Sequence, residues 1–251
     1  MKNKHSIKWK ELSKEEQNKF TMENSIEKLD WYFDESYMIE RGGAFHKSGI
    51  DNYIEKVLRK EELHYEKTDT FLYDCLSKYS IENKSVAIIG STEPWYESIC
   101  LTYGGIPTTV EYNKLISYDK RIKTMTVDEY NKNPIKFDMA FSISTFEHDG
   151  LGRYGDPINP NGDLEAMRNV RDNMLKKDGL LFLAVPVGID QLVWNAHRIY
   201  GEKRWPKLID GFEIIYSSDV SCWGMENFED VFTFDSQGGR QPVIVLKNIK
   251  N

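Results

Sequence analysis

The sequence predicts an α/β fold: a Rossmann-like, mostly parallel seven-stranded sheet with a helical addition at the N-terminal end. Short apolar runs at residues 85–89, 137–143 and 180–185 alternate with segments of helical periodicity, the pattern of parallel strands covered on both faces. Gly or Pro punctuates these runs, at Gly90, Gly104-Gly105, Gly179 and Pro186, where strands and helices must turn into one another. At 251 residues the chain is long enough for one such domain plus an appendage.

Taken in order, residues 1–30 are rich in Lys, Glu, Asn and Ser and read as a frayed terminus or short surface helices. Residues 31–65 are aromatic and charged. They read as a helical cap packing its aromatics on the core, or as a lid over a polar ligand, given His46, Lys47 and Asp51. Phe71, Leu72, Cys75, Leu76 and Tyr79 recur at helical spacing. Residues 1–80 are therefore expected to be a helical extension, and residues 81–251 the Rossmann-like domain. A strand at 85–89 leads through Gly90 to a helix opened near Pro94 and carrying Trp95, Ile99 and Cys100. Further strands are expected at 108–112, 137–143 and 180–185, with a helix opened by Asn161-Gly162-Asp163 and closed at residues 176–179. Residues 190–200 read as a helix carrying Trp194, Asn195, His197 and Arg198. Strands at 212–216, 231–234 and 243–246 complete the list, the last two joined as an antiparallel hairpin by Gly238-Gly239. Trp205 and Trp223 read as packing residues.

A net charge of −7 argues against a nucleic-acid partner. Cys75, Cys100 and Cys222 show neither disulfide nor metal spacing, which fits a reducing compartment. No signal-peptide core and no apolar run of membrane-spanning length occurs, so a cytoplasmic location is expected. A homodimer is left open.

Ligands of such sheets bind at the carboxyl ends of the strands, where strand order reverses. The first expected strand ends in Gly90-Ser91-Thr92-Glu93-Pro94. A glycine lets a ligand approach the backbone, and the following helix start offers unpaired N–H groups. This is not the G-x-G-x-x-G of a dinucleotide site, and Glu93 would oppose a pyrophosphate. An acidic first turn suits a cationic or zwitterionic ligand, although it is also ordinary capping chemistry. Glu111 ends the next strand about twenty residues on, where a carboxylate can accept from both hydroxyls of a ribose. Thr126 and its neighbours Val127 and Asp128 fall where the adenine would lie, with Asp128 reading rather as a helix cap.

The densest stretch runs from Phe137-Asp138 through Ser142, Ser144 and Glu147-His148-Asp149 into Gly150-Leu151-Gly152-Arg153-Tyr154-Gly155-Asp156-Pro157. A loop this rich in Gly and Pro is neither helix nor strand, and long loops inside compact domains tend to be functional. The strand followed by Ser-x-x-Glu-His resembles the fourth motif of class I methyltransferases. The run from Phe146 to Met167 resembles an uncharacterised methyltransferase-like family first defined from nematode proteins and also present in bacteria, there including capsule-polysaccharide loci. The resemblance spans roughly residues 30–247. It implies a class I methyltransferase sheet, S-adenosylmethionine as cofactor, Gly90, Ser91, Thr92, Glu93, Glu111, Thr126, Ser142 and Ser144 as its contacts, and a small polar or carbohydrate acceptor.

Methylating a hydroxyl needs a base held against the nucleophile. His148 is the first candidate because its ordinary pKa lies near neutrality. Glu147 or Asp149 would orient the ring or replace it; alternatively Glu147 and His148 simply cap and pack the loop. Glu147, His148, Asp149 and Asp156 could together ligate a divalent metal, but their spacing matches no metal signature, and no metal site is assigned. Arg153, Tyr154, Asp156, His197 and Arg198 are the candidate acceptor contacts. Two other readings stand beside this one: a nucleotide-dependent enzyme of another class, such as an oxidoreductase, and a binding protein without activity.

Overall fold

The computed structural model describes residues 6–35, 43–63, 65, 67–219 and 241–250. Helix α1 (Lys14–Phe20) starts at a capping box, Ser13 accepting from the Glu16 backbone while Glu16 reaches back. Strand β1 (Glu27–Trp31) follows, then β2 (Gly43–Phe45), α2 (Lys47–Leu58) and α3 (Lys67–Lys78). The alternating part begins with β3 (Ser85–Ile89), α4 (Trp95–Thr102) and β4 (Ile106–Glu111). It continues through β5 (Leu115–Ser117), β6 (Lys123–Thr126), α5 (Val127–Lys132), β7 (Phe137–Ile143), α6 (Gly162–Asn169) and β8 (Leu175–Ala184). Strands β9 (Gln191–Asn195) and β10 (His197–Ile199), helix α7 (Trp205–Leu208), β11 (Phe212–Ser217) and β12 (Ile244–Asn248) complete the chain.

Seven strands form the central sheet in the order β11-β12-β8-β7-β3-β4-β6. From β6 to β8 neighbours are parallel, while β12 is antiparallel to both β8 and β11. The sheet is thus mostly parallel but mixed. Successive residues of each strand feed opposite faces: Ala87, Ala140 and Leu181 join Met167 and Val170 on one side. Val86, Ile88, Phe141 and Phe182 join Leu72, Leu76 and Trp95 on the other. These two apolar layers explain why the strands read as continuous apolar runs.

The structure corrects several expectations. Strand β6 supplies the seventh strand; it sits at the sheet's edge, is only partly covered, and so lacks an apolar run. The expected strand at 231–234 and turn at Gly238-Gly239, like Trp223 and Cys222, lie outside the described residues. Both edges of β12 are already paired, with β8 and β11. Helix α6 passes through a π-helical turn (Val170–Met174) directly into β8, so the strand begins at Leu175 rather than after Gly179.

Residues 190–200 are not a helix but the hairpin β9–β10, which pairs in parallel with β1 to make a second, three-stranded sheet. Every residue of β9 is buried, so no polar alternation marked it as a strand. Residues 6–31 are correspondingly neither purely helical nor a frayed end. Leu12, Phe20 and Ile26 pack on Leu151, Leu192 and Trp194, with Phe20 edge-on to Trp194 at 4.9 Å. Among the described residues no helix is long and apolar enough to cross a membrane.

Candidate functional site

The parallel strands β3, β4 and β7 end together, and β3 and β7 flank the point where strand order reverses. A cavity of about 530 Å³ opens there. A smaller recess of about 100 Å³ shares its Gly90, Glu111, Tyr112, Thr145 and Asp149 wall. The position is the one that ligands of open α/β sheets take.

Gly90 has φ +74°, and a Cβ there would lie 2.3 Å from the Thr145 side chain. Only glycine fits both demands. Thr145 in turn donates to the Ile89 carbonyl at 3.1 Å, tying the end of β7 to the end of β3. Thr92 lines the cavity beside Gly90. Ser91 and Glu93 do not: Ser91 is turned into the protein, and Glu93 accepts from Tyr53 at 3.1 Å.

Glu111 is 8 % exposed and lines both the cavity and the recess. Its Oε1 accepts from the Asn113 backbone at 3.2 Å, and burial raises its pKa. Beside it the recess is apolar, walled by Ile89, Val110, Val127, Tyr130, Phe146 and Met174. Thr126 is elsewhere engaged. It caps α5 by accepting from the Glu129 backbone, whereas Asp128, expected as the cap, lies in the helix's first turn and faces the cavity. Ser142 is wholly buried within β7 and reaches neither hollow.

Ser144, with φ +54°, lines the cavity and donates to Glu147 Oε1 at 2.6 Å. Glu147 is completely buried, its Oε2 has no hydrogen-bond partner among the described residues, and burial pushes its pKa up to about 7. His148 lines the cavity with Nδ1 2.6 Å from the Ala196 carbonyl and Nε2 3.7 Å from Glu147 Oε1. Burial lowers its pKa to about 3, so the ring is neutral and its near-neutral solution pKa does not carry over. Asp149 lines both hollows, and burial together with Asp156 and Asp163 raises its pKa well above the carboxylate range. Its carboxylate meets no hydrogen-bond donor among the described residues.

Asp156 lines the cavity while its Oδ2 accepts from the Gly150 and Gly152 backbones at 2.7 and 3.1 Å, shaping the glycine loop. Tyr154 lines the cavity edge-on to His148 at 5.6 Å. Arg153 is drawn off to Glu35 at 2.6 Å and lies over Phe33, leaving Glu35 on the cavity wall. His197, on β10, packs edge-on to Trp31 away from the cavity.

Arg198 is 1 % exposed and donates to the Asp149 carbonyl at 2.7 Å, with Asp163 3.8 Å away. It is a strut beneath the loop and not an acceptor contact. Asp163 also pairs with Arg204 at 2.5 Å and accepts from Tyr200 at 2.9 Å. Sequence reading missed this hub, because its members lie on three separated segments. It also missed Glu35, Tyr65 and Asn113 on the cavity wall. Among the described residues, no group of three or more His, Cys, Asp or Glu could hold a metal ion.

The fold is similar to that of a Burkholderia thailandensis 1,6-didemethyltoxoflavin-N1-methyltransferase, crystallised with 1,6-didemethyltoxoflavin and S-adenosylhomocysteine. Identity is 13 %, the match covers 80 % of this chain and 87 % of that one, and the TM-score is 0.53. A looser likeness, TM-score 0.41 at 13 % identity, covers 82 % of this chain and 97 % of the [4+2]-cyclase SpnF. The first likeness is one of fold, and the second is too distant to carry any argument. No protein of curated function matches the sequence. Residues 83–237, more than half of the chain, match a family described from Caenorhabditis, and the chain belongs to that family of unknown function, DUF268.

Proposed function

We propose that the chain is an S-adenosylmethionine-dependent methyltransferase that methylates a hydroxyl of a small, non-anionic acceptor. The observation that carries this reading is the juxtaposition, at the strand ends, of Gly90, Glu111 and an apolar recess with the His148–Asp149 wall. The residues fit the cofactor. The recess suits a flat, apolar-faced base, the Glu111 carboxylate suits the paired hydroxyls of a ribose, and Gly90 leaves the backbone bare for close approach. Bound there, the cofactor would supply an electrophilic methyl group. In this reading residues 81–251 form the catalytic domain and residues 1–80 an extension that packs on its sheet through Leu72 and Leu76 and reaches the cavity with Glu35 and Tyr65.

The chain's own contribution is positioning and proton transfer. His148, held as the Nδ1–H tautomer by Ala196, keeps Nε2 as an acceptor, and as a cavity-lining ring it orients the hydroxyl. Asp149 takes its proton: it faces the cavity, and a carboxyl of raised proton affinity is a better-matched base than one in water. The acceptor's charge follows from the wall. Among the described residues Glu111, Asp128, Asp149 and Asp156 line the cavity, with Glu35 paired to Arg153, and no Lys or Arg lines it, which favours a neutral, hydroxyl-rich acceptor such as a sugar over one carrying a phosphate or carboxylate.

Calorimetric titration with S-adenosylhomocysteine tests the donor half; no heat at millimolar ligand would sink the reading. Transfer of labelled methyl into a metabolite extract split on an anion exchanger tests the acceptor half. Label in the unretained fraction supports a non-anionic acceptor, and label in the retained fraction overturns it.

A further inference from the structure

Glu97, the third residue of α4, is completely buried, and its two oxygens reach toward the two segments that frame the cavity. Oε1 lies 2.6 Å from the Thr109 hydroxyl, two residues before Glu111 on β4. Oε2 lies 3.0 Å from the Ser91 hydroxyl, one residue after Gly90. Ser91 Oγ is also 2.8 Å from the Glu93 carbonyl oxygen. No ion pair reaches Glu97 among the described residues, and its neighbours along the helix, Tyr96 and Cys100, are themselves buried and uncharged.

Three oxygen–oxygen contacts of hydrogen-bond length need three protons. The Thr109 and Ser91 hydroxyls bring two, one each. An ionised Glu97 brings none, which would leave either Ser91 against Glu97 or Ser91 against Glu93 as two oxygens facing without a hydrogen, inside the protein, where such a contact is costly. A protonated Glu97 completes the chain. Thr109 donates to Oε1, the carboxyl O–H on Oε2 donates to Ser91, and Ser91 donates to the Glu93 carbonyl.

We propose that Glu97 is a positioning residue that works as a neutral carboxylic acid, bracing the Gly90 loop against β4 so that Gly90 and Glu111 are held at a fixed spacing. Burial favours the same protonation state, pushing the Glu97 pKa up to about 7. The consequence for donor binding rests on the function proposed above; the protonation state does not.

The test compares Glu97→Gln with Glu97→Leu. A glutamine amide has the shape of the neutral acid and can both donate to Ser91 and accept from Thr109, whereas leucine fills the space without either bond. Glu97→Gln is expected to keep the thermal midpoint and the S-adenosylhomocysteine affinity of the parent at about pH 5, where the parent's Glu97 is protonated, and Glu97→Leu to weaken that affinity by on the order of tenfold. Infrared difference spectra of the ligand-free protein below the Glu97 pKa, parent minus Glu97→Gln, should show a protonated carboxyl band. A glutamine variant as impaired as the leucine one, or a difference spectrum with only a carboxylate band, overturns the proposal. If the parent itself fails to bind S-adenosylhomocysteine, the methyltransferase reading falls, while the infrared band still decides the state of Glu97. Should Glu97→Leu fail to fold, the glutamine variant and the spectrum decide it alone.

Discussion

The Nδ1 of His148 lies 2.6 Å from the carbonyl oxygen of Ala196, the residue between β9 and β10. A carbonyl only accepts, so Nδ1 carries the proton and Nε2, 3.7 Å from Glu147 Oε1, is left as an acceptor. The hairpin that was expected to be a helix is thus what sets the tautomer of a cavity residue.

For the proposed reaction, His148→Ala should lower turnover about 100-fold or more while leaving S-adenosylhomocysteine affinity unchanged, since positioning of a general-base partner acts on the chemical step. Asp149→Asn should lower turnover further and remove the rising limb of the pH–rate profile that a carboxylate base imposes. Labelled methyl transfer across a pH series measures both. A profile that survives in Asp149→Asn takes the proton away from Asp149.

Glu111→Ala should weaken S-adenosylhomocysteine binding by roughly 10- to 100-fold, the loss expected for hydrogen bonds to a buried charged group. Because burial already raises the Glu111 pKa, removing the carboxyl should not lower the thermal midpoint. Calorimetry with a melting curve separates the two effects, and an unchanged affinity would remove Glu111 from the donor site.

Arg198 was a candidate acceptor contact, and its surroundings predict something else. Its guanidinium is spent on the Asp149 carbonyl and on the Asp163 pair, both out of solvent. Arg198→Met should therefore cost about 1–3 kcal/mol of folding stability, the penalty for leaving the Asp149 carbonyl without its donor, since Asp163 keeps Arg204. Denaturant unfolding measures this; a stable variant with a raised KM would restore the acceptor role.

The features that could be read from the sequence are those written locally. Gly90 and Glu111 end apolar runs, and a strand end followed by glycine or an acid is visible without a structure. The loop from Gly150 to Asp163 stood out because its Gly and Pro content forbids helix and strand. The misread features depend on distance. Residues 191–195 are all buried, held between β1 on one edge and β10 on the other, so their polarity carried no strand period. Arg198 looked free because its partners Asp163 and the Asp149 carbonyl come from other segments. His148 looked like a base because sequence gives a residue's solution pKa and not its burial. Glu97 in a first helical turn reads as commonplace, and only the meeting of α4, β4 and the Gly90 loop makes it a brace.

That brace has a signature in stability as well as in binding. A Glu with an ordinary pKa of 4.5 when unfolded and about 7 when folded binds its proton more tightly in the native state. Its contribution is therefore fully present below pH 4.5, declines as pH rises from there, and is lost once pH passes about 7. A shift of this size corresponds to about 3 kcal/mol. Glu147 and His148 also shift, in opposite directions, but they are common to parent and Glu97→Gln and cancel in the difference between them. The stability of Glu97→Gln relative to the parent should thus increase from about pH 5 to about pH 8, by up to about 3 kcal/mol. Parallel urea titrations at several pH values would show it as a widening gap in favour of the variant on the alkaline side. A gap that stays constant, or that widens toward acid, would mean that Glu97 is ionised in the native protein and that the contacts to Ser91 and Thr109 are those of a carboxylate.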